Sequence, residues 1–95
     1  MASERSGVTY RIDFTPAARR EFRKLAPETR RRLAPIIDRL ATEPRPKGAV
    51  RLSGLQHAYR LRYGDYRIVY ELHDDRLLIV VIRIGHRREV YRGLA

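Results

Sequence analysis

Between Ala58 and Ile84 three apolar segments follow one another with only tight turns between them, and this constrains the fold more than any other feature of the chain. Tyr59, Leu61 and Tyr63 alternate with Arg60 and Arg62; Ile68, Tyr70 and Leu72 alternate with Arg67, Val69 and Glu71. A period of two marks strands with one buried face, and Gly64-Asp65 and Asp74-Asp75 supply two-residue turns between them. Leu77 to Ile84 is apolar on both faces, as expected of a central strand ended by Gly85. Parity places Leu78, Val80, Ile82 and Ile84 inward on it. Such a meander has one apolar face that must be covered.

The upstream chain supplies the cover. Val8, Tyr10, Ile12 and Phe14 alternate as a first strand, and Thr15-Pro16 pairs an N-cap residue with a proline suited to the first helical turn. Ala18, Phe22 and Leu25 then share one helix face. A second helix is expected from Pro27 to about Ala41, with the stripe Leu33, Ile36, Ile37 and Leu40. Pro35 lies inside it, which predicts a kink or a later start. Thr42 to Ala49 is a loop, and Val50, Leu52 and Leu55 read as a link. Residues 1–7 are expected to be a flexible end and 8–95 one domain, with Arg87 to Leu94 as a single turn packed on the sheet edge. The order strand, helix, helix, strand, strand, strand implies a two-layer α+β fold. A helical hairpin packs on one face of a four-stranded, mainly antiparallel sheet.

Charge narrows the function. The 95 residues carry 21 Lys plus Arg against 11 Asp plus Glu, a formal net charge of +10, which favours a polyanionic partner. With no cysteine, thiolate chemistry and disulfides are excluded. No His, Asp and Glu spacing suggests a metal, no Gly-rich phosphate loop is present, and none of the three serines sits in a nucleophile motif, so no cofactor is expected. The longest apolar run is far short of the ~20 residues that cross a bilayer, and the first residues lack a signal-peptide stretch. A cytoplasmic protein without a membrane partner is therefore expected.

Alternation gathers Arg60, Arg62, Arg67 and Arg83 on the helix-free sheet face. Like charges there repel unless an anion sits among them, and the planar guanidinium fork suits phosphate. The competing reading is a solvated surface with arginines scattered by composition. Nearby stand His86, Arg87 and Tyr91, an imidazole, a guanidinium and a phenol close to a strand end. His57 and His73 take no role. Most of the excess charge lies elsewhere: from Pro16 to Arg51 eleven basic residues face four acidic ones, whereas Ala58 to Ala95 carries eight and five. Arg19, Arg20, Arg23, Lys24, Arg30, Arg31, Arg32, Arg45, Lys47 and Arg51 are thus candidates for docking on an RNA backbone, against the plain alternative of a solvated helix face.

The ending GHRREVYR, the stretch AYRLRYGDYRIVYEL, the SGL element before it and the β-αα-βββ order resemble the RelE/ParE toxin superfamily, and within it the RelE-type messenger-RNA interferases. The likeness runs from Val8 to Arg92. It implies a toxin of a toxin–antitoxin pair that enters the ribosomal A site and cleaves messenger RNA without a metal. It also implies a cognate antitoxin and the ribosome as partners. By position, the family's catalytic residues fall on Arg60, Arg62, Arg67, Arg87 and Tyr91, with His86 and Arg83 as secondary candidates. The family pattern has lysines where Arg60 and Arg62 stand, and arginine, with a pKa above ~12, is a poor base, so these two are expected to clamp phosphate. Proton transfer then shifts to Tyr91 and His86. Two other readings stay open. One is a DNA gyrase-inhibiting member of the superfamily that is not a nuclease; the other is a basic RNA-binding module.

Overall fold

A computed structural model of the chain describes residues 8–86. The flexible end expected for residues 1–7 and the packed turn expected at Arg87 to Leu94 lie outside them. Strand β1 (Arg11–Phe14) is shorter than the alternation from Val8 suggests, because its parallel partner begins only at Leu78. Before that point the backbone N–H of Tyr10 donates to the carbonyl of Ala41 at 2.8 Å instead. Helix α1 (Pro16–Lys24) is capped as expected, with Thr15 Oγ1 accepting the Ala18 N–H at 3.1 Å and Pro16 in the first turn.

Helix α2 (Pro27–Arg39) starts at Pro27 and carries Pro35 in its interior, so the later start does not occur. Pro35 and Arg31, the residue four back, are both exposed. The carbonyl that loses its intrahelical donor therefore faces water, which moderates the cost of the proline. At the junction of the helices the Arg30 guanidinium turns back onto the end of α1. It donates to the carbonyls of Leu25 at 2.6 Å and Arg23 at 3.1 Å, where a helix end leaves carbonyls without donors.

The sheet has five strands, not four. Val50–Arg51 forms a short β2 antiparallel to β3 (Ala58–Tyr63), and two residues are too few to show alternation in a sequence. Strands β4 (Tyr66–His73) and β5 (Leu78–His86) complete the order β1-β5-β4-β3-β2, in which only the β1–β5 pair is parallel. Gly64-Asp65 is the two-residue turn predicted, with a positive φ of 61° at the glycine. The Asp74-Asp75 turn is instead one turn of 3-10 helix, Asp74–Arg76, closed by Leu77 at φ 50°. Gly85 does not end β5, which pairs with β4 as far as His86.

The inward set on β5 differs from the parity expected. Ile79 and Val81 are core residues, and so is Ile84, while Leu78, Val80 and Ile82 are only partly buried. The cause is an irregularity in the ladder: Val69 pairs with Arg83 but Tyr70 with Val81, leaving Ile82 as an extra residue. This β-bulge switches the faces of the strand. The core unites Ala18, Leu33, Ile37 and Leu40 of the helical layer with Leu61, Ile68, Tyr70, Leu72, Ile79, Val81 and Ile84 of the sheet.

Candidate functional site

The bulge has a direct effect on the surface. Past Ile82, Arg83 falls on the face opposite the core, beside Val69, whose other neighbour is Arg60. The next row is Arg62, Arg67 and Gly85. The structure thus brings Arg60, Arg62, Arg67 and Arg83 together on the helix-free face. Arg62 and Arg67 are directly opposite, at the separation of about 4.5–5.5 Å typical of cross-strand partners, and like charges so placed destabilise a sheet. Their exposure differs: Arg62 is exposed, whereas Arg67 is half-buried and its Nε, fully covered, has no hydrogen-bond partner among the described residues. A buried donor left unmade costs about 1–3 kcal/mol, and more when charged. An anion bound at this row would relieve the like-charge repulsion.

Arg83 is held from the helical layer. Its Nε donates to Glu21 Oε2 at 3.0 Å, while Glu21 Oε1 accepts the backbone N–H of Ile84 at 2.8 Å. His86 shares a row with Tyr63 and Tyr66 on the opposite parity from the arginines. Its ring meets Tyr66 edge-on at 5.2 Å, its Nε2 lies 4.0 Å from Asp65 Oδ2, and its side chain is half exposed. Arg87 and Tyr91 lie outside the described residues. Among the described residues no three His, Asp or Glu side chains gather to hold a metal ion. None of the helices there is long and apolar enough to cross a membrane.

The other basic residues divide by environment. Arg20, Arg23, Lys24, Arg31, Lys47 and Arg51 are exposed; Arg19 lies over the Phe14 ring at 5.9 Å, and Arg32 pairs with Glu28 at 3.5 Å. Arg30 is engaged at the helix junction described above. Arg45 belongs to a latch that the sequence did not suggest. Its Nη2 donates to Asp74 Oδ2 at 2.6 Å and its Nε to Tyr59 Oη at 3.1 Å, while Tyr10 Oη donates to Asp74 Oδ1 at 2.5 Å. The Arg45 and Tyr10 hydrogen bonds hold the Asp74 carboxyl below the usual carboxylate range, and the bond to Asp74 raises the Tyr10 phenol. Tyr59 stacks on Tyr70 at 5.8 Å; burial pushes the Tyr70 phenol up, and its hydroxyl donates to the Pro44 carbonyl at 2.7 Å. Only the tyrosines' position on the inward face was readable beforehand, since the partners are 14 to 64 residues apart in sequence.

The model of the ParE toxin of the type II toxin–antitoxin system, parDE, matches residues 12–91. The chain belongs to the RelE/ParE toxin superfamily. Within it, the chain is 33% identical to the toxin RelG of Mycobacterium tuberculosis over 89 residues, which cover 90% of this chain and 99% of RelG. It is 34% identical to the mRNA interferase toxin RelE of Escherichia coli over 88 residues, 88% of this chain and 92% of that one. The fold agrees with the toxin–antitoxin complex RelBE2 of M. tuberculosis, with a TM-score of 0.74 at 30% identity over 84% of this chain and 93% of that chain. The chain is a RelE-type toxin of a toxin–antitoxin system. Its two helices packed on a mixed sheet are the α+β class that the sequence predicts, with one more strand.

Proposed function

We propose that this toxin is a ribosome-dependent endoribonuclease that cleaves messenger RNA in the A site and is held in check by a cognate antitoxin. The observation that carries the reading is the like-charged Arg62–Arg67 pair, set in a face that also holds Arg60 and Arg83. Relatives named as mRNA interferases support it, as does the likeness to a toxin solved as a toxin–antitoxin complex. The reaction is an internal transesterification. The 2′-oxygen forms a bond to phosphorus as its proton leaves, the bond from phosphorus to the 5′-oxygen breaks, and that oxygen takes up a proton, leaving a 2′,3′-cyclic phosphate. Arg60, Arg62, Arg67 and Arg87 stabilise the negative charge that accumulates on the phosphorane oxygens. Tyr91 moves the proton, provided that cations around it lower a phenol whose ordinary pKa is ~10. His86 lies on the parity opposite the arginines, so its part is secondary.

Primer extension on messenger RNA from a translation reaction tests this. Cuts in ribosome-bound message with 2′,3′-cyclic ends are expected, and Arg67→Ala should lower the cleavage rate by about 10²-fold or more, as losing a donor to a transition-state oxyanion does. The variant should stay folded, with stability level or raised, because the like-charge opposition and the unmet Nε go with the side chain. A folded wild-type protein that leaves ribosome-bound message intact overturns the proposal. A DNA gyrase-inhibiting toxin is the second reading, favoured by the ParE description of the matching family model. Inhibited supercoiling, with toxicity intact in Tyr91→Phe, would establish it in place of the nuclease.

A further inference from the structure

Glu21 has no distinguishing mark in the sequence, where it stands among the basic residues of α1. In the fold its carboxylate engages two groups at the end of β5. One oxygen accepts the backbone N–H of Ile84 and the other accepts Nε of Arg83, at 2.8 and 3.0 Å. Both side chains are largely withdrawn from solvent, Arg83 being 21% exposed and Glu21 27%. The place is specific. The last pair between β1 and β5 is Phe14 with Val81, so beyond it no strand of the described residues flanks β5 on that side. Thr15 Oγ1 donates to the Ile82 carbonyl at 3.4 Å, and the next free N–H in the described strand is taken by Glu21.

A carboxylate beside a phosphate-binding face works against anion affinity, because it lowers the local positive potential. Its contribution must therefore be geometric. An arginine side chain has large rotamer freedom, and a guanidinium fixed in advance loses less of it when it meets a phosphate. We infer that Glu21 is a positioning residue: through its paired hydrogen bonds it fixes the Arg83 guanidinium and the end of β5, at the edge of the arginine face, for work on the scissile phosphate. The inference rests on the nuclease reading of that face. It links helix α1 to turnover, although no residue of α1 belongs to the arginine rows.

Glu21→Gln is the test, since glutamine keeps the size and one amide oxygen for the Ile84 N–H but removes the charge that orients Arg83. In cleavage of ribosome-bound messenger RNA, kcat should fall about tenfold while KM stays level or drops, as expected when positioning is lost and a negative charge leaves a basic surface. The effect should vanish in an Arg83→Ala background. The ¹⁵N resonance of the Arg83 Nε–H should be sharp in the wild type and should shift and broaden in Glu21→Gln. A kcat within about twofold of wild type, or the same tenfold loss in the Arg83→Ala background, overturns the inference. So does a fall in kcat matched by a rise in KM with an unchanged Arg83 resonance. A cleaving wild type with an indifferent Glu21→Gln removes this inference alone, whereas a folded wild type that never cleaves removes the nuclease reading and the inference with it.

Discussion

Residue by residue, polar groups in this protein serve either the fold or the surface, and the partners decide which. Arg62 and Arg67 oppose each other across two strands with no carboxylate between them in register, a choice that costs stability. Arg45, of the same residue type, is bound to Asp74 and Tyr59 and closes the latch between the loop, β3 and the turn after β4. The latch makes a pH prediction. The Asp74 carboxyl is held below its ordinary range, first by Arg45 and then by Tyr10. A group whose pKa is depressed by folding contributes stability above its unfolded value, near ~3.9 for aspartate, and loses it as pH falls through the folded value. Asp74→Asn should therefore unfold at a lower temperature than wild type near neutral pH, and the gap should close below about pH 4. Thermal melts of both proteins across that range check it. A gap that persists undiminished at low pH would show that shape, not charge, holds the latch.

Elements were legible from the sequence in proportion to their length and periodicity. The stripe Leu33, Ile36, Ile37 and Leu40 and the alternation from Tyr59 to Leu72 each contain enough repeats to fix a face, and both packed as expected except at Tyr63, which lies beside the turn and is exposed. Val50–Arg51 is too short to carry a period, and the extra residue at Ile82 leaves no mark in an unbroken apolar run. Parity counted along Leu77 to Ile84 therefore failed before the bulge and held after it. Arg83 reached the open face only because the ladder skips a residue. The latch and the Glu21 contacts were invisible for a different reason, since they join positions 14 to 64 residues apart through side chains. Pro35 shows an element tolerating a local misfit. Its exposed position leaves the freed carbonyl to water, but the missing hydrogen bond and ring crowding remain. Pro35→Ala should raise stability by about 1–2 kcal/mol, less than the full proline cost because alanine also frees the unfolded chain. A urea midpoint that rises at constant slope is the expected result.

For the molecule as a whole, the net charge of +10 resolves into two surfaces separated by the core. The arginine rows occupy the helix-free sheet face, while Arg20, Arg23 and Arg31 are exposed on the helical layer. The shortest extent of the molecule is 23 Å, well over twice the Debye length of ~8 Å at physiological salt, so charges at the outer sides of the two layers scarcely alter each other's potential, although Glu21 reaches Arg83 from α1. Turnover and docking should accordingly separate. Replacing Arg20, Arg23 and Arg31 with glutamine should weaken binding to the ribosome and reduce the slope of log affinity against log salt by about 0.7–0.9 for each phosphate no longer neutralised. The cleavage rate at saturating toxin should stay near that of wild type, because no group on the scissile phosphate has changed. Salt titrations of ribosome binding alongside single-turnover cleavage measure the two effects independently. An unchanged slope would mean that the helical layer does not face RNA in the complex. A fall in the saturating rate would mean that the two surfaces are coupled through the fold, for which the Glu21 hydrogen bond to Arg83 provides a direct connection.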